Sequence, residues 1–361
     1  MAASNSPGAT NKLRIAVIPG DGIGNEVVPA ARRVLETVGA RHGFGFRWKD
    51  YDWGCERYLE TGAMMPDDGL EQLRAHEAIF LGAVGAPGVP DHVSLWGLLI
   101  PIRRTFEQYV NLRPIRLFEA VHSPLAQPPR IDLVVVRENV EGEYSEVGGR
   151  LYAGQEGELA AQLAVFTRRG TERVVRYAFA RAAERSGRLV SATKSNGIIH
   201  TMPFWDEVVD AVAADHPDIE VERVLIDALC ARVVSRPGSL DVIVGSNLFG
   251  DILSDLTAAV AGSIGIAPAA NLNPERDHPS MFEPVHGSAP DIAGQGVANP
   301  VGQVWTGALM LEHLGHPEAA AAVHRAIERV LDDRVNHTPD LGGRATTEQV
   351  TVALEVAIRE A

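Results

Sequence analysis

Cysteine is scarce in this sequence. Its 361 residues include only two, Cys55 and Cys230. Two cysteines cannot form a disulfide framework, and no zinc-binding pattern surrounds them. A chain without disulfides fits a reducing compartment. We therefore expect a cytoplasmic protein in which both thiols are ordinary buried side chains.

Basic residues are in deficit, and long hydrophobic runs are missing. Lys and Arg number 33 against 47 Asp and Glu, which gives a net charge of −14 at pH 7. This balance argues against nucleic acid or an anionic membrane surface as a partner. No run approaches the roughly 18 apolar residues of a membrane-spanning helix. Residues 1–11 are small and polar, which predicts a loose tail rather than a signal peptide.

The common nucleotide-binding signatures are also missing. The glycine turn Gly20–Gly24 reads Gly-Asp-Gly-Ile-Gly, which is neither G-x-G-x-x-G nor a loop ending in Gly-Lys-Ser/Thr. Two interpretations stay open. The turn either only connects a strand to a helix, or it also lies near a cofactor.

What is present is a regular alternation of strand-like and helix-like segments in a chain long enough for about two domains. The predicted strands are Leu13–Pro19, Ala78–Val84, Asp132–Val136, Leu189–Thr193, Val221–Ile226 and Asp241–Ser246. The predicted helices are Glu26–Val38, Thr171–Glu184, Pro203–Ala214, Pro317–Asp333 and Thr346–Ala361. This alternation predicts an α/β fold with a largely parallel sheet. The Gly-rich segment Gly148–Ala164 fits neither pattern and is either a loop or an arm toward a partner subunit.

Acidic residues at helical spacing suggest a metal site. If their segment is a helix, Asp251 and Asp255 lie one turn apart on the same face, where like charges destabilise a helix. Solvent and the dipole of a helix N-terminus can compensate them. A hard divalent cation such as Mg²⁺ or Mn²⁺ is the other explanation. The spacing alone does not decide between the two.

Basic residues in an acidic chain suggest an anion site. Several arginines stand beside apolar segments, namely Arg103, Arg104, Arg113, Arg116 and Arg137. A guanidinium at the end of a strand can bind a carboxylate through two hydrogen bonds, although any single arginine is better explained by a surface ion pair and only their number suggests a cluster. Lys194 follows a predicted strand, where open α/β sheets place ligand sites, and it is either a base or a solvated lysine.

Several motifs together resemble the β-decarboxylating dehydrogenases, the family of the isocitrate, 3-isopropylmalate, tartrate and D-malate enzymes. The matching segments are Gly20–Gly24, Asn111–Pro114, Arg137–Tyr144, Thr193–Asn196, Asn247–Asp255 and Glu283–Ile292. Three further segments, Met64–Asp68, Asp91–Gly97 and Phe166–Gly170, resemble the tartrate and D-malate branch in particular. Trp96 stands where isopropylmalate enzymes carry an acidic residue.

The resemblance implies an isopropylmalate dehydrogenase-like fold of two domains, which is not a Rossmann fold. Residues 12–108 and 262–361 would form a cofactor-binding domain. Residues 109–261 would form a central domain with the dimer interface and the arm. The implied reaction is the NAD-dependent oxidation of a small 2-hydroxy dicarboxylic acid, D-malate or tartrate, with β-decarboxylation where the keto product permits. Mg²⁺ or Mn²⁺ would be required, and K⁺ is a further candidate cofactor.

The resemblance also assigns roles to individual residues. Arg103, Arg113 and Arg137 would bind the substrate carboxylates, with Trp96 narrowing the pocket. Asp251 and Asp255 would bind the metal together with Asp227 of the partner subunit. Tyr144 would donate a proton, and Lys194, also from the partner subunit, would be the general base. The implied cofactor residues are Glu283, near the nicotinamide ribose, then His286, Gly287, Ser288, Ala289, Asp291 and Ile292, and Asn299 near the adenine.

Two alternatives remain at this point. One is 3-isopropylmalate dehydrogenase, which needs an apolar pocket around Leu98–Ile100 for the isopropyl group. The other is a catalytically silent regulatory subunit that only binds nucleotide. Such a subunit would be expected to lose a metal ligand or the base, and this chain has both.

Overall fold

The computed structural model describes residues 12–360. The strands are β1 Lys12–Gly20, β2 Gly45–Asp50, β3 Ala78–Ala83, β4 Val110–Arg116, β5 Asp132–Glu138, β6 Gly148–Leu151, β7 Leu159–Gln162, β8 Arg188–Thr193, β9 Glu220–Leu225, β10 Val242–Gly245, β11 Pro268–Leu272 and β12 Ser280–Pro284. The predicted N-terminal tail lies outside the described residues.

Helices occupy most of the remaining chain. They are α1 Gly24–His42, α2 Cys55–Thr61, α3 Gly69–Arg74, α4 Asp91–Ser94, α5 Ile100–Thr105, α6 Arg168–Ala183, α7 Thr201–Ala214, α8 Ile226–Ser235, α9 Asn247–Val260, α10 Val301–His313, α11 Pro317–Asp332 and α12 Thr347–Glu360. A π-helical turn, Leu95–Leu99, joins α4 to α5. Short 3₁₀ turns lie at Pro237–Ser239, Ile264–Ile266, Arg334–Asn336 and Pro339–Leu341. Within residues 12–360, the structure contains no helix long and apolar enough to cross a membrane.

Ten of the strands form one continuous sheet in the order β2-β1-β3-β12-β11-β4-β5-β10-β8-β9. Strands β11 and β4 run antiparallel to their neighbours, and the pairs on both outer sides are parallel. The prediction of an α/β fold with a largely parallel sheet is therefore confirmed. Each predicted strand and helix occurs within a few residues of its expected bounds.

The sheet is built from two parts of the chain. One half uses strands from both chain ends, β1–β3 with β11 and β12, and the other half uses the central strands β4, β5 and β8–β10. The division into a terminal domain and a central domain stays a prediction, and this strand order is compatible with it. The boundary would then fall between the paired strands β4 and β11.

The segment that fitted no pattern is a two-stranded hairpin. Strands β6 and β7 pair antiparallel, and all of their residues are exposed. Leu151 and Tyr152, near its tip, are more than half exposed. Exposed apolar side chains on such a hairpin are compatible with an arm, and its contact with a partner subunit stays a prediction.

Candidate active site

Three arginines that are far apart in sequence line one cavity. Arg103 comes from α5, Arg113 from β4 and Arg137 from β5, and all three are buried. The cavity has a volume of about 130 Å³, and its lining includes Tyr144 and Asp251. Buried guanidinium groups in a chain of net charge −14 are the local cluster of arginines that a small anionic ligand needs.

Helix α9 holds Arg137 in place. The Oδ1 atom of Asn247 accepts hydrogen bonds from Nε and Nη2 of Arg137 at 3.1 and 2.7 Å. The Nη1 atom forms an ion pair with Asp251. The helix comes this close because residue 250 is glycine, since a Cβ there would lie 2.5 Å from the Cβ of Arg137. Burial and the like charges of neighbouring arginines lower the pKa of Arg137, an effect that Asp251 opposes.

The other two arginines are also fixed by short contacts. Arg113 donates to Oγ of Ser254 at 2.5 Å. The Nη2 atom of Arg103 lies 2.6 Å from Oε1 of Glu283, and both of these side chains are buried. Glu283, which the sequence assigned to the cofactor, is therefore also the counter-ion of one predicted substrate arginine.

The acidic pair lies on a helix, as its spacing required. Asp251 and Asp255 are one turn apart on α9, and nitrogen atoms of Arg113 lie 3.3 Å from Asp251 and 3.4 Å from Asp255. Burial favours a higher pKa for Asp251, but Arg137 and Arg113 outweigh it and hold that pKa below its ordinary value. Burial also raises the pKa of Asp255. The positive charge of Arg113 opposes this increase, and the negative charge of Asp251 adds to it.

This pair suits a hard divalent cation, but it is incomplete in one chain. Carboxylate oxygens are ligands that Mg²⁺ and Mn²⁺ prefer, and 60% of the Asp255 side chain is exposed. Residues 12–360 of a single chain bring together no group of three acidic, histidine or cysteine side chains that could hold a metal. A further carboxylate from a second chain would complete such a group.

Tyr144 adds a proton donor to the same cavity. Its hydroxyl donates to Oδ2 of Asp251 at 3.2 Å, and its ring lies 5.6 Å from the guanidinium carbon of Arg137. Burial, together with the nearby Asp251 carboxylate, raises the pKa of Tyr144. The phenol therefore carries its proton at neutral pH.

Lys194 and Asp227 form a separate pair. Their Nζ and Oδ1 atoms are 2.7 Å apart, and neither residue lines the cavity of its own chain. Lys194 directly follows β8, and Asp227 lies in the first turn of α8. Strand β8 is two positions from β5 in the sheet, a separation of ~10 Å. The pair thus lies at the same edge of the sheet as Arg137 without reaching it.

The predicted cofactor loop follows β12 and packs against the glycine turn. The amide of Ile23 donates to the carbonyl oxygen of Ser288 at 2.9 Å. A Cβ on Gly22 would lie 2.1 Å from that oxygen, and the φ angle of Gly22 is +55°. Glu26 accepts hydrogen bonds from the amides of Gly294 and Gly296, just after the loop, at 2.6 and 2.8 Å. The glycine turn therefore packs against the predicted cofactor loop, and its place near a cofactor stays a prediction.

One buried polar atom of this loop has no hydrogen-bond partner among the described residues. The Nε2 atom of His286 is buried and has no hydrogen-bond partner within residues 12–360, a costly state that a bound polar group would relieve. Burial lowers the pKa of His286, so the ring is neutral. Asn299 is buried near the loop and donates to Asp340 at 3.1 Å. Asp291 is exposed, and Ile292 is half-buried.

Trp96, which was predicted to narrow the pocket, does not itself line the cavity. Its ring stacks against Arg104, with 5.0 Å between the ring centre and the guanidinium carbon. Arg104 itself lines the cavity. So do Leu95, the first residue of the π-helical turn that contains Trp96, and Ile100, which directly follows that turn. Any narrowing of the pocket by Trp96 would therefore act through Arg104.

Sequence reasoning missed the buried amides that support the arginines. Asn247 holds Arg137, and Asn111 accepts from Nε of Arg113 at 2.7 Å. Both asparagines lie within the motifs that carried the family resemblance, but no role was assigned to them. Asn271 lies outside every motif, and its only signal in the sequence is an amide within an otherwise apolar strand.

Comparison with known proteins gives results of three kinds. The family described as isocitrate/isopropylmalate dehydrogenase matches residues 14–354. A protein of Bacillus subtilis named probable tartrate dehydrogenase/decarboxylase is 56% identical, over 94% of this chain and 96% of that protein. The Escherichia coli protein named D-malate dehydrogenase (decarboxylating) is 54% identical, over 95% and 97%. The crystal structure of isocitrate dehydrogenase from Methylococcus capsulatus has a TM-score of 0.87 and 36% identity, over 96% and 99%.

Proposed function

The chain belongs to the isocitrate/isopropylmalate dehydrogenase family, and we propose that within it the protein oxidises a small 2-hydroxy dicarboxylic acid, D-malate or tartrate, with decarboxylation where the keto product permits. The predicted family, the predicted fold and the prediction of an enzyme are all confirmed by these matches. The substrate, the cofactors and the roles of individual residues belong to the proposal.

The main support for a dicarboxylic acid as the substrate is that three arginines converge on one small cavity, namely Arg103, Arg113 and Arg137. Three buried guanidinium groups line about 130 Å³ together with Asp251, and Glu283 and Asp255 pair with two of them from outside the cavity lining. Each guanidinium has five N–H donors, more than these ion pairs use, so a substrate with two carboxylates, about the size of malate, can bind beside them. Because guanidinium groups bind carboxylates through paired hydrogen bonds, the clamp also fixes the orientation of the carbon atom between them.

Two groups would supply the redox and acid chemistry. A divalent metal between Asp251, Asp255 and the partner subunit's Asp227 would provide Lewis acidity toward the 2-hydroxyl, and NAD held by the loop at residues 286–292 would accept the hydride. The open carboxylates of α9 and the unpartnered Nε2 atom of His286 support these two assignments.

The residues of the chain then move the protons. Lys194 of a second subunit, as the neutral amine, accepts the proton of the 2-hydroxyl directly or through water or its neighbouring Asp227. The arginines hold the carboxylate that leaves as carbon dioxide in a fixed position next to the reacting carbon. Tyr144, whose phenol is protonated and faces the cavity, donates a proton to the carbon from which carbon dioxide departs. For tartrate the reaction can end at oxidation.

Exposed apolar surface supports the proposal of a dimer in which Lys194 and Asp227 belong to the site of a second chain. Several large apolar side chains are exposed in the segment after β8 and on helices α8 and α9. They include Ile199, which is 68% exposed, Val234, which is 48% exposed, and Ile252, which is 47% exposed. Exposed apolar surface of this kind marks protein interfaces.

The two cysteines, one buried and one half-buried, are both free, which supports a reducing compartment such as the cytoplasm.

A substrate screen tests the proposed function. We expect turnover of D-malate or a tartrate with NAD and Mn²⁺ to exceed that of isocitrate and 3-isopropylmalate by at least about tenfold, because the extra groups of the larger acids have little room beside the arginines. Formation of NADH and release of carbon dioxide are followed for each acid. Preference for 3-isopropylmalate would contradict the proposed substrate and indicate that Leu95 and Ile100 form an isopropyl pocket. Binding of NADH without turnover of any acid would indicate a regulatory subunit.

The choice between NAD and NADP is predicted from Asp291. Its exposed carboxylate in the proposed cofactor loop can accept hydrogen bonds from a ribose 2′-hydroxyl and repels a 2′-phosphate. We expect the double variant Asp291→Lys and Ile292→Tyr to lower kcat/KM for NAD and raise it for NADP, each by about tenfold or more. Asp277→Lys makes the same charge change at an exposed position outside the loop and should leave the preference unchanged. A natural enzyme that already prefers NADP would remove this role for Asp291.

A further inference from the structure

A continuous chain of buried hydrogen bonds joins two of the three buried arginines of the cavity, Arg113 and Arg103. Nε of Arg113 donates to Oδ1 of Asn111 at 2.7 Å, and Nδ2 of Asn111 donates to Oδ1 of Asn271 at 2.9 Å. Nδ2 of Asn271 donates to Oε1 of Glu283 at 2.7 Å, and the same oxygen accepts from Arg103 at 2.6 Å. We call these five residues the amide relay.

The charged ends of the relay fix its direction. Arg113 can only donate, so Asn111 must present its oxygen to it and its NH₂ group to Asn271. An ionised Glu283 can only accept, so Asn271 must present its NH₂ group to it and its oxygen to Asn111. These two requirements agree where the amides meet. Neither asparagine can therefore rotate its amide group without creating a contact between two donors or two acceptors.

The position of the relay in the fold makes it rigid. Asn111 of β4 and Asn271 of β11 are directly opposite each other in the antiparallel pairing, and both are fully buried. Nδ2 of Asn139 donates to the same oxygen of Asn271 at 2.8 Å. Asn271 does not line the cavity, and it lies across the proposed domain boundary from Asn111.

We infer that Asn111 and Asn271 are positioning residues, which hold Arg113 and Arg103 in one common geometry for the two ends of the substrate. The inference rests on the proposed function, because it takes these arginines to bind the carboxylates of a hydroxy acid. Without the relay, Arg113 would lose the acceptor that fixes its plane. Glu283 would lose the donor that holds it beneath Arg103. Both guanidinium groups would then be free to tilt, and the clamp would fit its ligand less well.

The test replaces the two amides by leucine, a neutral side chain of similar volume. We expect Asn271→Leu to weaken the binding of D-malate about tenfold although residue 271 does not reach the cavity, since one buried hydrogen bond lost next to a charged group has about this effect. Asn111→Leu should have a similar effect. Because both break one relay, the double variant should lose about tenfold rather than the product of about a hundredfold. Affinity is measured by calorimetry with Mn²⁺ and without NAD. In turnover, the KM for D-malate should rise by more than kcat falls.

Two further variants keep the test decisive. Gln303 is a fully buried amide on α10 that donates to the carbonyl of Leu81 at 3.1 Å, outside the relay. Gln303→Leu should lower the melting temperature but bind D-malate as the natural protein does. If Asn271→Leu does not fold, Asn271→Ser serves instead, because its hydroxyl is too short to contact both Asn111 and Glu283, and we expect the same direction of change.

The outcomes separate the inference from the proposed function. A natural protein that binds neither D-malate nor a tartrate would contradict the proposed function itself. If it binds D-malate and Asn271→Leu binds equally well, the relay is structural only and the inference is wrong. A double variant whose loss equals the product of the two single losses would show that the asparagines act independently, which also overturns it.

Discussion

Replacing Tyr144 by phenylalanine is expected to abolish most of the decarboxylation activity while leaving hydride transfer largely intact. The change removes only the hydroxyl, which donates to Asp251 at 3.2 Å, and keeps the ring against the guanidinium of Arg137. General acids of this kind contribute about 10²- to 10⁴-fold to the step that they serve. Since proton delivery to the product carbon is the proposed task of Tyr144, the loss should fall on that step.

Two measurements separate these steps. Decarboxylation of added oxaloacetate should be slower by about 10²-fold or more in Tyr144→Phe, whereas single-turnover formation of NADH from D-malate should change much less. Tyr51→Phe is the matched control, because this buried tyrosine donates to the carbonyl of Gln72 and does not line the cavity. An unchanged rate with oxaloacetate would rule out Tyr144 as the proton donor.

The parallel parts of the fold were readable from the sequence because their signals are local. Strands such as β5 and β10 are short apolar runs, each followed by a polar or glycine turn, and buried parallel strands have this composition. The α9 motif predicted a helix with Asp251 and Asp255 on one face, and the structure confirms that helix. In these cases one stretch of sequence contains the whole pattern.

The antiparallel strands at the centre of the sheet, β4 and β11, could not be predicted from local patterns. Strand β4 contains Pro114 and two arginines, and β11 is a five-residue strand with an asparagine at its fourth position. Proline, asparagine and charged residues are unfavourable in ordinary strands. The two asparagines are tolerated here because the side chain of Asn111 donates a hydrogen bond to that of Asn271 across the sheet. That pairing joins residues 160 positions apart, which no local pattern reveals.

The cavity itself lies between these two cases. The sequence identified Arg103, Arg113 and Arg137 as candidates, yet each alone was better explained by a surface ion pair. Their burial, and the pairing of Arg103 with Glu283 across 180 positions, appear only in the fold. Lys194 and Asp227 differ again, because the fold of one chain places them together but away from the cavity.

That separation leads to the prediction with the largest effect. If each site takes its base from the other subunit, Lys194→Ala and Arg137→Ala should each be almost inactive as pure dimers, the first for lack of a base and the second for lack of a carboxylate anchor. When equal amounts of the two are dissociated and allowed to reassociate, random pairing makes about half of the dimers mixed. Each mixed dimer contains one site with all of its groups and one site with both defects. Activity should therefore recover to roughly a quarter of that of the natural enzyme.

Recovery of this kind depends on which chain supplies Lys194. If Lys194 served the cavity of its own chain, every site in a mixed dimer would carry one of the two defects, and no activity would return. Exchange of subunits is verified independently with two differently tagged chains, so that absence of activity cannot reflect absence of mixed dimers. Mixing Lys194→Ala with Asp227→Ala gives the matched negative control. Both residues come from the same side of the interface, so each site of that mixed dimer lacks one of them and activity should stay low. Recovery with Arg137→Ala but not with Asp227→Ala would assign Lys194 and Asp227 together to the site of the second subunit.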